Sequence, residues 1–164
     1  MSNLKKFYRE IPPLSPQDSF LVFDRVKDTF DFPVHYHPEF EINFILNGKG
    51  VQRVVGDNID EIDRIEMVLI GPNLYHGWEL NKCTSKKIHE ITIQFDNNLF
   101  PDSLLSRRIM SPIKDMFNRS IHGILFSKKV AEMLTPRLVK LSKLDGMDYF
   151  LEITSILFDL ANSR

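Results

Sequence analysis

The sequence predicts a mainly β fold that ends in helices: a small antiparallel barrel followed by an antiparallel helix pair. Three observations lead there. Short β-type runs separated by glycine, asparagine and proline turns fill residues 19–95. After Asp96 the apolar period changes from two to about 3.6 residues. Of the 164 residues 43% are apolar, enough for one core of ordinary size and too few for a second full domain.

Composition narrows the function classes. Lys and Arg total 21 against 22 Asp and Glu, a net charge of -1 that lacks the electrostatic footprint a nucleic-acid backbone requires. Cys83, the single cysteine, cannot form an internal disulfide or a cysteine zinc site, and its polar turn offers no neighbouring base to activate it, so it is expected to be exposed and inert. No apolar segment follows Lys5 and Lys6, and no run reaches the roughly 18 residues of a membrane span. The chain therefore reads as soluble and cytoplasmic, without a membrane partner.

Residues 1–18 carry Pro12, Pro13 and Pro16, which remove donors and disfavour helix, so they are expected to form an extended arm. A barrel is expected over 19–100, with strands at 19–26, 32–37, 41–46, 50–55, 66–71, 76–80 and 87–95. Turns fall at Asn47-Gly48-Lys49-Gly50, Gly56-Asp57-Asn58 and Gly71-Pro72-Asn73, whose glycines and asparagines accept positive φ. The last strand alternates cleanly, with Ile91, Ile93 and Phe95 on one face and Glu90, Thr92 and Gln94 on the other.

The region 101–164 is expected to be helical, with short helices at 104–108 and 112–119, the second capped by Ser111. A longer helix over 128–144 should show Val130, Met133, Leu134, Leu138 and Leu141 on its apolar face and a kink at Pro136. Its partner over 148–162 should use Phe150, Leu151, Thr154, Leu157, Phe158 and Ala161.

The chemistry concentrates at His35-Tyr36-His37-Pro38-Glu39-Phe40-Glu41 and at His76. Alternation gives His35, His37 and Glu41 one parity, with Pro38 interrupting the ladder between them. Three imidazoles and a carboxylate suit a mid-series divalent ion, or equally a metal-free pocket in which the same groups bind an organic ligand. Trp78 shares the face of His76 and offers an indole for stacking, while Glu90 and Thr92 face either lumen or solvent. Arg25 could meet a carboxylated ligand or a surface partner. Gly48 and Gly50 make no dinucleotide fingerprint, since no helix follows them.

These residues resemble the cupin family, and more closely the amino-terminal sensor domains of AraC-type transcriptional regulators. His35, His37, Glu41 and Gly48 fill every position of the first cupin motif, and the segment from Met67 to Trp78, with Gly71-Pro72 and His76, resembles the second. Ile65-Glu66 replaces the usual Gly-Asp, and Asn81 lies one residue too far from His76; both count against an enzyme.

The resemblance implies a cupin double-stranded β-helix, an arm that folds over the ligand pocket with Phe7, Tyr8 and Ile11 as lid residues, and a homodimer formed through the C-terminal helices. It implies a bacterial, non-enzymatic sensor binding a small-molecule effector, with a saccharide favoured, through His35, His37, Glu41, His76, Trp78 and Glu90. DNA would be met only through a helix-turn-helix domain absent from this chain, with Arg164 near the junction. AraC-type sensors keep such histidines without needing a metal, so a metal-free pocket is the preferred reading over zinc, manganese, iron or nickel on His35, His37, Glu41 and His76. The competing expectations are a stand-alone metal-dependent cupin isomerase or dioxygenase, and a purely structural dimerisation module with an empty barrel, which would show no ligand-sized cavity.

Overall fold

The computed structural model describes residues 7–163; the charged start of the chain and the expected junction at Arg164 lie outside them. One sheet contains β1 (Tyr8–Arg9), β3 (His35–Tyr36), β5 (Gln52–Val55), β6 (Asn58–Glu61) and β8 (His76–Glu79), in the order β1-β3-β8-β5-β6. The other contains β2 (Leu21–Lys27), β4 (Phe40–Leu46), β7 (Ile65–Ile70), β9 (Ile88–Phe95) and β10 (Ile124–Leu125), in the order β10-β7-β4-β9-β2. Every pairing is antiparallel except that of the arm strand β1, which runs parallel to β3. The fold is the expected cupin-like barrel with helices behind it.

Strand alternation sorts the second sheet into two faces. Ile42, Phe44, Met67, Leu69, Ile91 and Ile93 point outward into a core shared with the helices. Glu41, Asn43, Glu90, Thr92 and Gln94 take the opposite parity, with Glu41 level with Gln94 and Asn43 with Thr92. The lumen is thereby divided: Ile45, Val68, Ile70 and Ile88 pack with Val51, Val55 and Trp78 at one end, and the polar residues gather at the other.

The turns form at the expected residues, with positive φ at Asn47, Gly50, Gly56 and Asn73. Gly50, at φ +91°, passes so close to the 82–83 backbone that a Cβ would fall 2.9 Å from the Cys83 nitrogen. That packing turns Cys83 into the apolar end of the barrel, so it is buried and not the exposed residue expected. Two short strands, β1 and β10, and the wholly exposed β6 were not anticipated.

Behind the barrel stand α1 (Asp102–Leu105), α2 (Ser111–Arg119), α3 (Lys128–Lys140) and α4 (Gly146–Asn162). Met110, not Ser111, precedes α2, while the Ser127 side chain caps α3 by accepting from the Val130 amide at 3.3 Å. Pro136 does not break α3; Glu132, whose carbonyl loses its donor, lies on the exposed face where water can serve it. The buried face of α4 is Ile153, Ile156, Leu157 and Leu160, about one position from the expected stripe, which leaves Leu151 outside. Met133 on α3 is likewise exposed.

Candidate functional site

Pro38 acts at the corner between the sheets. The chain leaves the first sheet after Tyr36 and enters the second at Phe40, so His37 spans the turn while His35 and Glu41 approach each other from opposite sheets. His35 is the register partner of His76 on β8, with ring centroids 4.3 Å apart. One ligand-type atom from each of His35, His37, Glu41 and His76 lies within 4.8 Å of the others, and all four residues are buried.

Backbone carbonyls set two of the imidazoles. His35 Nδ1 donates to the Pro33 carbonyl at 2.9 Å and His76 Nδ1 to the Leu74 carbonyl at 2.8 Å, so the Nε2 of each ring is turned to the cluster. Glu41 Oε2 stands 3.1 Å from His37 Nε2 and 3.5 Å from His76 Nε2, and accepts from Gln94 Nε2 at 2.9 Å. Burial alone would push the Glu41 carboxyl up, but His76 and His37 outweigh it and hold it well below the ordinary range. Burial would lower His37, yet its hydrogen bond to Glu41 and the charges of Glu41, Glu10 and Glu39 raise it. His35, which is buried beside His76, is depressed to about 4 and is neutral at pH 7.

A cavity of about 150 Å³ opens beside this cluster. Its walls include Phe23, Phe30, Phe32 and Trp78, with Asn43, Glu90, Thr92 and Gln94 between them. Asn43 Nδ2 donates to Glu90 Oε1 at 3.1 Å, and Glu90 is also paired with Lys27. Asn43 Oδ1, Gln94 Oε1 and Trp78 Nε1 are buried without a hydrogen-bond partner among the described residues.

The structure thus brings His35, His37, Glu41 and His76 together, and sets Trp78 and Glu90 on the adjoining cavity wall. Arg25 lines the same cavity with its guanidinium 4.5 Å from the Phe23 ring centre. His89 points away and meets Asp24 at 2.6 Å. Of the expected lid residues, Ile11 is 85% exposed and Phe7 stacks on Tyr75 at 4.7 Å, so neither covers the cavity; Tyr8 does not line it either. The arm residue that enters is Glu10, whose carboxylate lies 3.6 Å from both His35 Nε2 and His37 Nε2. No local pattern marked Glu10, whereas Asn43 could have been found from its shared parity with Glu41, and Phe23 and Lys27 from theirs with Arg25.

No protein-family profile matches the chain, and no curated protein matches it. Among solved structures it is similar to ToxT from Vibrio cholerae, at 16% identity and a TM-score of 0.48, over 90% of this chain and 59% of that one. A ToxT structure from strain SCE256 with unsaturated fatty acid bound gives 17% identity and 0.48, over 89% and 57%. A salicylate 1,2-dioxygenase from Pseudaminobacter salicylatoxidans gives 17% and 0.40, over 67% of this chain and 26% of that one. Among the described residues no helix is long and apolar enough to cross a membrane.

Proposed function

We propose that this chain is the effector-sensing and dimerisation domain of an AraC-type transcriptional regulator, controlling a helix-turn-helix domain attached to it. The observation that carries the sensing role is the polar end of the barrel, where Asn43, Gln94 and Trp78 line a cavity of about 150 Å³ while Asn43 Oδ1, Gln94 Oε1 and Trp78 Nε1 are buried without a hydrogen-bond partner among the described residues. Leaving such an atom unpaired costs roughly 1–3 kcal/mol, so the cavity favours a ligand that both donates and accepts. A saccharide does both, and one face of its ring can lie on Trp78. A cavity of this size counts against the purely structural dimerisation module, for which no ligand-sized cavity was expected.

The sensing mechanism is a shift of populations. A ligand in the cavity touches residues of β2, β4, β8 and β9 and abuts Glu10 of the arm, so it stabilises whichever arrangement of arm and barrel fits it best. Exposed Met133 on α3 and Met147 and Leu151 on α4 supply an apolar surface for a second copy.

The histidine cluster supports a second reading, a metal-dependent cupin enzyme. Its donor set fits a divalent ion: His76 Nε2 is fully buried and unpartnered, and His35 and His76 are each held at Nδ1 by a backbone carbonyl, the usual support of a ligating imidazole. His35, His37, Glu41 and His76 would hold the ion, which when bound would supply Lewis acidity toward a ligand oxygen.

Thermal melts with a panel of aldopentoses and aldohexoses, repeated in EDTA, test the sensor reading. At about 100 times its dissociation constant the effector is expected to stabilise the domain by about 2.7 kcal/mol. The double variant His76→Gln, Trp78→Phe should lose that gain while sedimenting like the parent. One metal per chain together with turnover of a small substrate would replace the sensor by the enzyme.

A further inference from the structure

We infer that Glu10 is a fifth protein ligand to a divalent cation held by His35, His37, Glu41 and His76, so that cation occupancy docks the amino-terminal arm. The inference rests on the cation-binding reading of that cluster. Donors about 2.1 Å from one ion stand roughly 3.0 Å apart at right angles and 4.2 Å apart across it. The Glu10 carboxylate oxygen is 3.6 Å from His35 Nε2 and from His37 Nε2, and Glu41 Oε2 is 3.1 Å and 3.5 Å from His37 and His76 Nε2. All four separations fall inside that window, and His76 Nε2 is buried with no partner of its own.

Charge points the same way. Gln94 Nε2 donates to Glu10 Oε2 at 3.1 Å and to Glu41 Oε2 at 2.9 Å, drawing two carboxylates together in a space where they repel. Lys27 pairs with Glu90 and Arg25 lies against Phe23, so the groups that face the two carboxylates are the imidazoles of His35, His37 and His76.

Main-chain contacts to β3 hold the arm at few points: Tyr8 N donates to Val34 O at 3.3 Å and Glu10 N to Tyr36 O at 2.9 Å. The Glu10 side chain tethers the arm from inside the barrel beside these contacts, and a cation under it would fix β1 at the edge of the sheet. A sensor would gain from this a connection between its central site and a segment on its surface.

The test titrates the whole chain with Co2+ by calorimetry, in the parent and in Glu10→Gln, and follows hydrogen exchange of the Glu10 amide with and without Co2+. Gln keeps the length of the side chain, and equal melting temperatures without Co2+ would verify that the fold is retained. The parent is expected to bind one Co2+ per chain, and Glu10→Gln to bind it roughly tenfold more weakly or worse. Co2+ should slow exchange at residue 10 in the parent alone. Equal affinity and equal Co2+-dependent protection in the variant would overturn the role of Glu10. A parent that takes up no Co2+ would overturn the cation-binding reading itself, a separate and recognisable failure.

Discussion

Glu66 shows how a single buried carboxyl sets a pH dependence. It projects from β7 into the lumen and pairs with Arg53 of β5, whose other nitrogen donates to Asn58 Oδ1 at 2.7 Å. Burial raises the Glu66 carboxyl to about 7 despite the guanidinium beside it. An acid whose folded pKa exceeds its unfolded value near 4.5 contributes stability that is complete below 4.5 and is lost as pH rises through about 7. Glu66→Gln lacks that loss, so its melting temperature relative to the parent should rise steadily from pH 5 to pH 8. A pH-independent difference between the two would show that Glu66 keeps an ordinary pKa. At this scale the sequence was readable wherever parity decided, as for Glu41, His76 and Gln94. It was not readable for Glu66 and Arg53, whose pairing crosses the lumen between residues 13 apart in sequence.

Elements were legible in proportion to their length and pattern. The strands from Phe40 to Leu46 and Ile88 to Phe95 carry enough alternation to declare themselves, and Pro38 marked the corner between the sheets. Two-residue strands such as β1 and β10 exist only because a neighbouring edge accepts them, and β6 is exposed throughout with Ile59 its single apolar residue, so no local signal distinguishes it from a loop. The helix pair was legible as a pair, but which side faces inward depended on how α4 meets its neighbours. Arg137 clasps the two helices: its Nε meets Glu152 at 2.6 Å, one terminal nitrogen meets Ser155 at 2.8 Å and the other meets Asp159. A lone surface pair contributes up to about 1 kcal/mol, and a three-point clasp should contribute somewhat more. Arg137→Ala is expected to lower unfolding free energy by about 1–2 kcal/mol in urea titrations, with a smaller loss at 1 M salt. A loss unchanged by salt would assign the effect to packing of the arginine stem.

For the whole molecule, the barrel is closed at one end by aliphatic side chains and open at the other to polar ones, with helices covering a single sheet. The helices leave Met147 and Leu151 exposed on α4, at 67% and 56%, one turn apart on the same side. If that surface joins two copies, Leu151→Glu should sediment as a monomer at concentrations where the parent is a dimer, with an unchanged melting transition in dilute solution. A variant that still sediments as a dimer would move the contact elsewhere. How the barrel's content divides between apolar and polar ends was beyond sequence reading, because it depends on which inward residues of two sheets meet.

Trp78 stands where those two ends meet. It is the chain's only tryptophan, 6% exposed, with its indole nitrogen unpartnered and its ring centre 6.0 Å from that of His76. Tryptophan emission from this domain therefore originates at one point, on the wall of the cavity beside the His76 imidazole. Occupancy, hydration and charge at the centre of the barrel are all written into the colour and brightness of one fluorophore, and the protein can be watched at work without a label.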